Sequence, residues 1–215
     1  MMRMAMRMEN LRQMVVIGGL FSVLAVATLG SSKASDPSIF KVEEVWEMVV
    51  NEPDPANISP QITFFLSPST DIDDCYFQLQ MNYEADDDFS GGGFHVGAID
   101  HGKMIDEARS GTHRVLATKG DHVRWTNVVA VVNNKLLFAV KDGLGAEWGG
   151  FGGPEYLVTI PSSPVTDLSA YDPQQSLDAI DIGFGANRID RVTLVEVRVF
   201  YSDGHALTLP INRQP

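Results

Sequence analysis

Cys75-Tyr76-Phe77-Gln78-Leu79-Gln80-Met81-Asn82-Tyr83 alternates without a break. Phe77, Leu79, Met81 and Tyr83 fall on one side, and Gln78, Gln80 and Asn82 on the other. Successive side chains of a strand point to opposite faces, so this stretch is a half-buried strand with one wet face. A helix would need apolar residues three and four apart, and no window of twelve residues carries such a stripe convincingly.

The neighbouring runs extend the pattern in both directions. Val42 to Val50, Gln61 to Leu66, Gly93 to Ile99, Val123 to Val132, Leu136 to Lys141 and Tyr156 to Ile160 are rich in β-branched and aromatic residues and are expected as strands. Arg191 to Tyr201 places Val195, Val197 and Val199 on one side, opposite Glu196 and Arg198. Asn133-Asn134 separates two runs, and asparagine tolerates the left-handed conformation of a tight hairpin. Ser202-Asp203-Gly204 marks a second hairpin, before Ala206 to Leu209. The one helical fragment is Pro173 to Ile180, with Asp172 placed to cap it. Many short strands with almost no helix predict an all-β fold, an antiparallel β-sandwich of the jelly-roll kind.

Residues 121–143, Asp121-His-Val-Arg-Trp-Thr-Asn through Asn133-Asn134 to Lys141-Asp142-Gly143, resemble the central hairpin of laminin-G-like, concanavalin A-like sandwiches. Residues 187–200 are similar to the closing strand of that superfamily. The resemblance implies a lectin-like sandwich and transfers no specific site.

The start of the chain reads as an address. Arg3, Arg7 and Arg12 precede Met14 to Leu29, sixteen residues without a charge, and Gly30, Ser31, Ser32, Lys33 and Ala34 follow. A basic, then apolar, then small-residue order describes a secretory signal peptide over residues 1–34. A retained membrane anchor is the alternative. Residues 35–40 read as a short linker and 41–215 as one sandwich domain. The expected destination is secretion, a periplasm or a cell surface.

The 215 residues carry 28 Asp+Glu against 16 Lys+Arg, a net charge of −12. Residues 1–34 hold four of those bases and one acid, so the rest is more acidic still. Such a surface repels a phosphate backbone, which excludes nucleic acid as a partner. The membrane enters only through the signal or anchor segment. A single cysteine allows neither an internal disulfide nor a Cys-based zinc site, and the five histidines show no ligand spacing.

Catalytic signatures are absent: no G-x-S-x-G, no H-E-x-x-H and no G-x-x-x-x-G-K-[ST]. A glycosidase would need two facing carboxylates about 5–5.5 Å apart for retention. Asp178 and Asp181 have the wrong spacing for one strand face. Glu43 and Glu47 share a face with Val45, opposite Trp46, but lie roughly 13 Å apart at the usual rise per residue. That face is expected to be solvated.

Two features point to ligands. Trp148, in Ala146-Glu-Trp-Gly-Gly-Phe-Gly-Gly153, could stack on a sugar ring while Glu147 or Asp142 bonds hydroxyls; the alternative is that Trp148 folds inward. Asp71, Asp73 and Asp74 flank the strand at one end, and Asp86, Asp87 and Asp88 at the other. Clustered carboxylates suit Ca²⁺, though neither loop has EF-hand spacing, and solubilising turns are the alternative. The resulting expectation is an exported, non-catalytic binding module whose partner is carbohydrate or another extracellular protein. A structural or surface-assembly protein is second, and a glycoside hydrolase third.

Overall fold

The alternating stretch becomes the second strand of a four-stranded sheet. The computed structural model describes residues 36–51, 60–72, 75–82, 93–109, 119–146, 149–182 and 189–215. Strands β2 (Pro60–Leu66), β3 (Cys75–Asn82), β4 (Gly93–Asp100) and β5 (Lys103–Arg109) pair in that order, all antiparallel. A larger sheet has the order β11 (Ala206–Arg213), β10 (Ile189–Tyr201), β1 (Ile39–Val50), β6 (His122–Val132), β7 (Lys135–Gly145) and β8 (Gly149–Phe151); β9 (Val158–Ile160) also pairs with β7.

The inward faces carry the expected residues. Phe77, Leu79 and Met81 are all buried. Phe64 of the small sheet sits edge-on between Trp46 and Trp125 of the large one, 5.2 and 4.8 Å away between ring centroids. Phe77 stacks on Phe138, and Phe94 on Phe151. These ring pairs join the two sheets face to face. The fold is therefore an antiparallel β-sandwich, held by aromatic burial worth about 1.5–3 kcal/mol per side chain.

Turn chemistry follows the sequence. Asn133 and Asn134 both have positive φ, 52° and 61°, and close the β6–β7 hairpin. Helix α1 (Pro173–Asp178) begins where Asp172 accepts the Gln174 amide. The long connection 161–182 is tied to three places. Ser163 N donates to Asn134 O, Leu168 N to Ile39 O, and Asp181 exchanges two backbone bonds with Thr63 of β2.

Four expectations need correction. The run at 156–160 is strand only over β9; Pro154–Tyr156 forms a 3-10 turn, because Pro154 cannot donate to a ladder. In β10 a bulge at Val195 shifts the inward set to Val192, Leu194, Val197 and Val199, so Val195 leaves the core face. The glycine-rich stretch, outside the strands expected from the sequence, contributes β8: Gly143 leaves room for the Phe151 ring, which would lie 2.4 Å from a Cβ there. The face of Glu43 and Val45 is not solvated. Glu43 is 3% exposed and Val45 2%, because β1 is central in the large sheet and long side chains from its neighbours lie over them. Glu44, on the opposite, inward face, is completely buried.

Candidate functional site

Three turns that are far apart in sequence meet at one end of the sandwich and enclose a cavity of about 270 Å³. Pro68 and Ser69 come from the β2–β3 loop, and Cys75 opens β3. Asp100 and His101 come from the β4–β5 hairpin, and Ser163, Pro164 and Val165 from the 161–182 connection. His101 and Gly102 both have positive φ (48° and 73°), which turns β4 tightly into β5 and sets the imidazole outward.

Each wall is locally held. Ser67 Oγ donates to Cys75 O at 3.0 Å and accepts from Ser69 N, while Ser69 Oγ donates to Asp71 O. Ser163, 9% exposed, accepts the Val165 amide, leaving its own hydroxyl hydrogen to reach the cavity. Asp100 Oδ1 accepts from His101 Nδ1 at 2.9 Å, which orients the ring. Among the described residues the second Asp100 oxygen has no hydrogen-bond partner. The lining thus mixes hydroxyls, a carboxylate and an imidazole with the apolar Pro68, Pro164 and Val165. A second, more open cavity of about 220 Å³ lies on the far side of the same loop, lined by Phe65, Ile72, Tyr76 and Ala179.

The connection that walls the first cavity is pinned by a buried carboxylate. Glu44 accepts from Tyr171 Oη (2.8 Å), Ser176 Oγ (2.5 Å) and Trp46 Nε1 (2.9 Å). Burial pushes the Glu44 carboxyl above its ordinary value against the pull of these three donors. Tyr171 is raised well above the ordinary phenol value, by burial first and then by the Glu44 charge. The cross-strand neighbour of Glu44, Asn127, is also buried, accepting from Trp125 Nε1.

Two carboxylates, Glu43 and Glu196, share one arginine on the large sheet. Glu43 accepts from Lys41 (2.9 Å) and Lys141 (3.0 Å), and lies 3.7 Å from Arg198. Arg198 also binds Glu196 through Nε and Nη2. Lys41 Nζ sits 3.6 Å over the Phe200 ring. Burial raises Glu43, but the two lysines outweigh it and hold the carboxyl below its ordinary value. A carboxyl held ionised in this way is a poor proton donor. On the small sheet, Gln80 and Glu107 bracket His95, at 2.8 and 2.9 Å.

Asp142 lies in a bulge of β7 with φ of 53°, its carboxylate exposed and 3.5 Å from Lys141. Trp148 and Glu147 lie outside the described residues. Of the candidate calcium ligands, Asp71 is exposed beside the cavity loop, while Asp73, Asp74, Asp86, Asp87 and Asp88 lie outside the described residues. Among the described residues, no three His, Cys, Asp or Glu side chains are grouped to hold a metal. Sequence reasoning missed Asp100, His101, Ser69 and Ser163. The only local signal was Asp100-His101-Gly102, a turn tripeptide between two short strand runs.

No protein-family model matches the chain, and no curated protein matches it. Among solved structures, the chain is similar to peanut lectin crystallised with a nine-residue peptide (PVIWSSATG). The identity is 9% and the TM-score 0.34, over 80% of this chain and 69% of that one. That overlap is too low to bear on the site.

Proposed function

We propose that this chain is an exported, non-catalytic recognition module that binds a glycan in the cavity at residues 68–69, 75, 100–101 and 163–165. One observation carries the reading: polar and apolar groups from separate turns together line a space of about 270 Å³. A sugar ring has the matching character, hydroxyls at its rim and C–H groups on its faces. The volume is just below the range of about 300–1,000 Å³ for small-molecule sites, so it suits one ring rather than a large ligand. Export rests on the basic-then-apolar order of residues 1–34. Recognition is favoured over hydrolysis because Glu43, which shares Arg198 with Glu196, is held ionised by Lys41 and Lys141.

The test is amide NMR of residues 36–215 titrated with a monosaccharide panel. Shifts should cluster at Ser69, Asp100, His101, Ser163 and Val165, and Asp100→Ala should abolish them. A panel that moves none of these signals sinks the reading.

A surface-assembly role has its own support. Edge strand β11 is eight residues long, uncharged before Arg213, with Leu207 44% and Leu209 38% exposed. Natural sheets usually guard such edges with charge. Light scattering tests it: a mass that stays monomeric at millimolar concentration removes this alternative.

A further inference from the structure

Charge around the cavity narrows the class of ligand. Asp71, Asp100 and Asp167 lie on or within two residues of the lining segments, and Lys103 is the one Lys or Arg there among the described residues. His101 turns its Nδ1 to Asp100, at 2.9 Å. Lys103 stands opposite Asp100 in the β4–β5 ladder and is exposed, yet the two side chains form no ion pair. The Asp167 carboxylate is already engaged, accepting the Ser169 amide, so it contributes field rather than contact. Asp100 is left with one oxygen bound by the imidazole and one available to the cavity. The chain as a whole adds a net charge of −12.

An anionic sugar entering this space would meet repulsion from Asp100 with no Lys or Arg among the described lining residues to offset it. A neutral sugar would leave the open Asp100 oxygen to a weak hydroxyl bond. A protonated amine would give it a charge-assisted bond, roughly twice as strong as a neutral one. We propose, building on the glycan reading, that the cavity selects a sugar bearing a free primary amine, with the ammonium on Asp100 and ring hydroxyls on Ser69, Ser163 and His101. The acidic surroundings also raise the local concentration of a cationic ligand, an effect that salt screens.

The experiment compares glucosamine, N-acetylglucosamine, glucose and glucuronate by amide NMR, with ethanolamine and calcium chloride as non-sugar cations. Glucosamine should bind at least tenfold more tightly than glucose, N-acetylation should remove the difference, and glucuronate should not bind. Asp100→Asn should bring glucosamine down to the level of glucose. Equal binding of glucosamine and N-acetylglucosamine overturns the amine assignment and leaves glycan recognition standing. Ethanolamine or calcium binding as well as glucosamine does, with glucose inert, overturns both in favour of a bare cation site. No shift with any sugar also overturns both.

Discussion

Replacing Glu44 tests whether the buried carboxylate holds the wall of the site. Glu44→Ala leaves Tyr171 Oη, Ser176 Oγ and Trp46 Nε1 buried with no acceptor in their place. A buried donor left unsatisfied costs about 1–3 kcal/mol, and the three share one relaxation, so a total of about 4 kcal/mol is expected. For a unit of this size that lowers the melting temperature by roughly 8–16 °C. Glu44→Gln keeps one carbonyl acceptor and the side-chain volume, and should cost about half as much.

The pH dependence separates the electrostatic part from the packing part. Burial raises the native carboxyl above its ordinary value of about 4.3. Between that value and the raised one, the native state holds a proton that the unfolded chain has lost. Stability therefore falls as pH rises through this window and levels off above it. Glu44→Gln carries no such proton, so the wild-type advantage over it should be greatest at the acid end and shrink with rising pH. Urea unfolding followed by tryptophan fluorescence measures both, since Trp46 is itself a partner. An alanine variant within about 1 kcal/mol of wild type, or an advantage over glutamine that widens with pH, refutes the reasoning.

Three further outcomes are expected. Gly152→Ala should cost about 2–4 kcal/mol by thermal unfolding, because φ is 101° and the new Cβ would lie 2.8 Å from the Lys141 Cα; Gly97→Ala, facing only the movable end of Met104 and a glutamine amide, should cost under about 1 kcal/mol. Glu43→Gln should destabilise by about 1–2 kcal/mol at neutral pH, the lysines being part-exposed. Its native carboxyl is held low, so that difference should fade as acid titration passes through the native value. Calcium should raise the melting point no more than sodium chloride of matched ionic strength if the aspartates at 71–74 and 86–88 are solubilising turns; a rise of about 5–10 °C above that control, at a hundredfold excess over Kd, would restore a calcium site.

What was legible in the sequence was whatever repeats with period two. β3 could be read residue by residue because one of its faces meets the core and the other meets polar neighbours. β5 could not: Lys103, Asp106, Glu107 and Arg109 make an edge strand look like a loop, since charge is what protects an edge. β1 misled in the opposite way. Its carboxylates suggest water, but a central strand is roofed by its neighbours' side chains, and Lys41, Lys141 and Arg198 arrive from three strands to cover Glu43. The bulge at Val195 is a register fact that no single strand contains.

The candidate site was the least legible part, for a related reason. Ser69, Asp100 and Ser163 are separated by 31 and 63 positions and share no spacing rule. Strand ends bring them together, and the long connection that adds Ser163 is held by the Ser163 bond to Asn134 and by the bonds of Glu44, over a hundred positions earlier in the chain, to Tyr171 and Ser176. If the cavity binds its ligand through that wall, loss of the Glu44 acceptor should weaken binding as well as folding. The binding loss should follow the fraction of molecules whose 161–182 connection is released, not the identity of the sugar. A Glu44→Gln protein that stays folded at 25 °C yet loses the same factor for glucose and glucosamine would meet that expectation, because the connection positions the site without choosing the ligand.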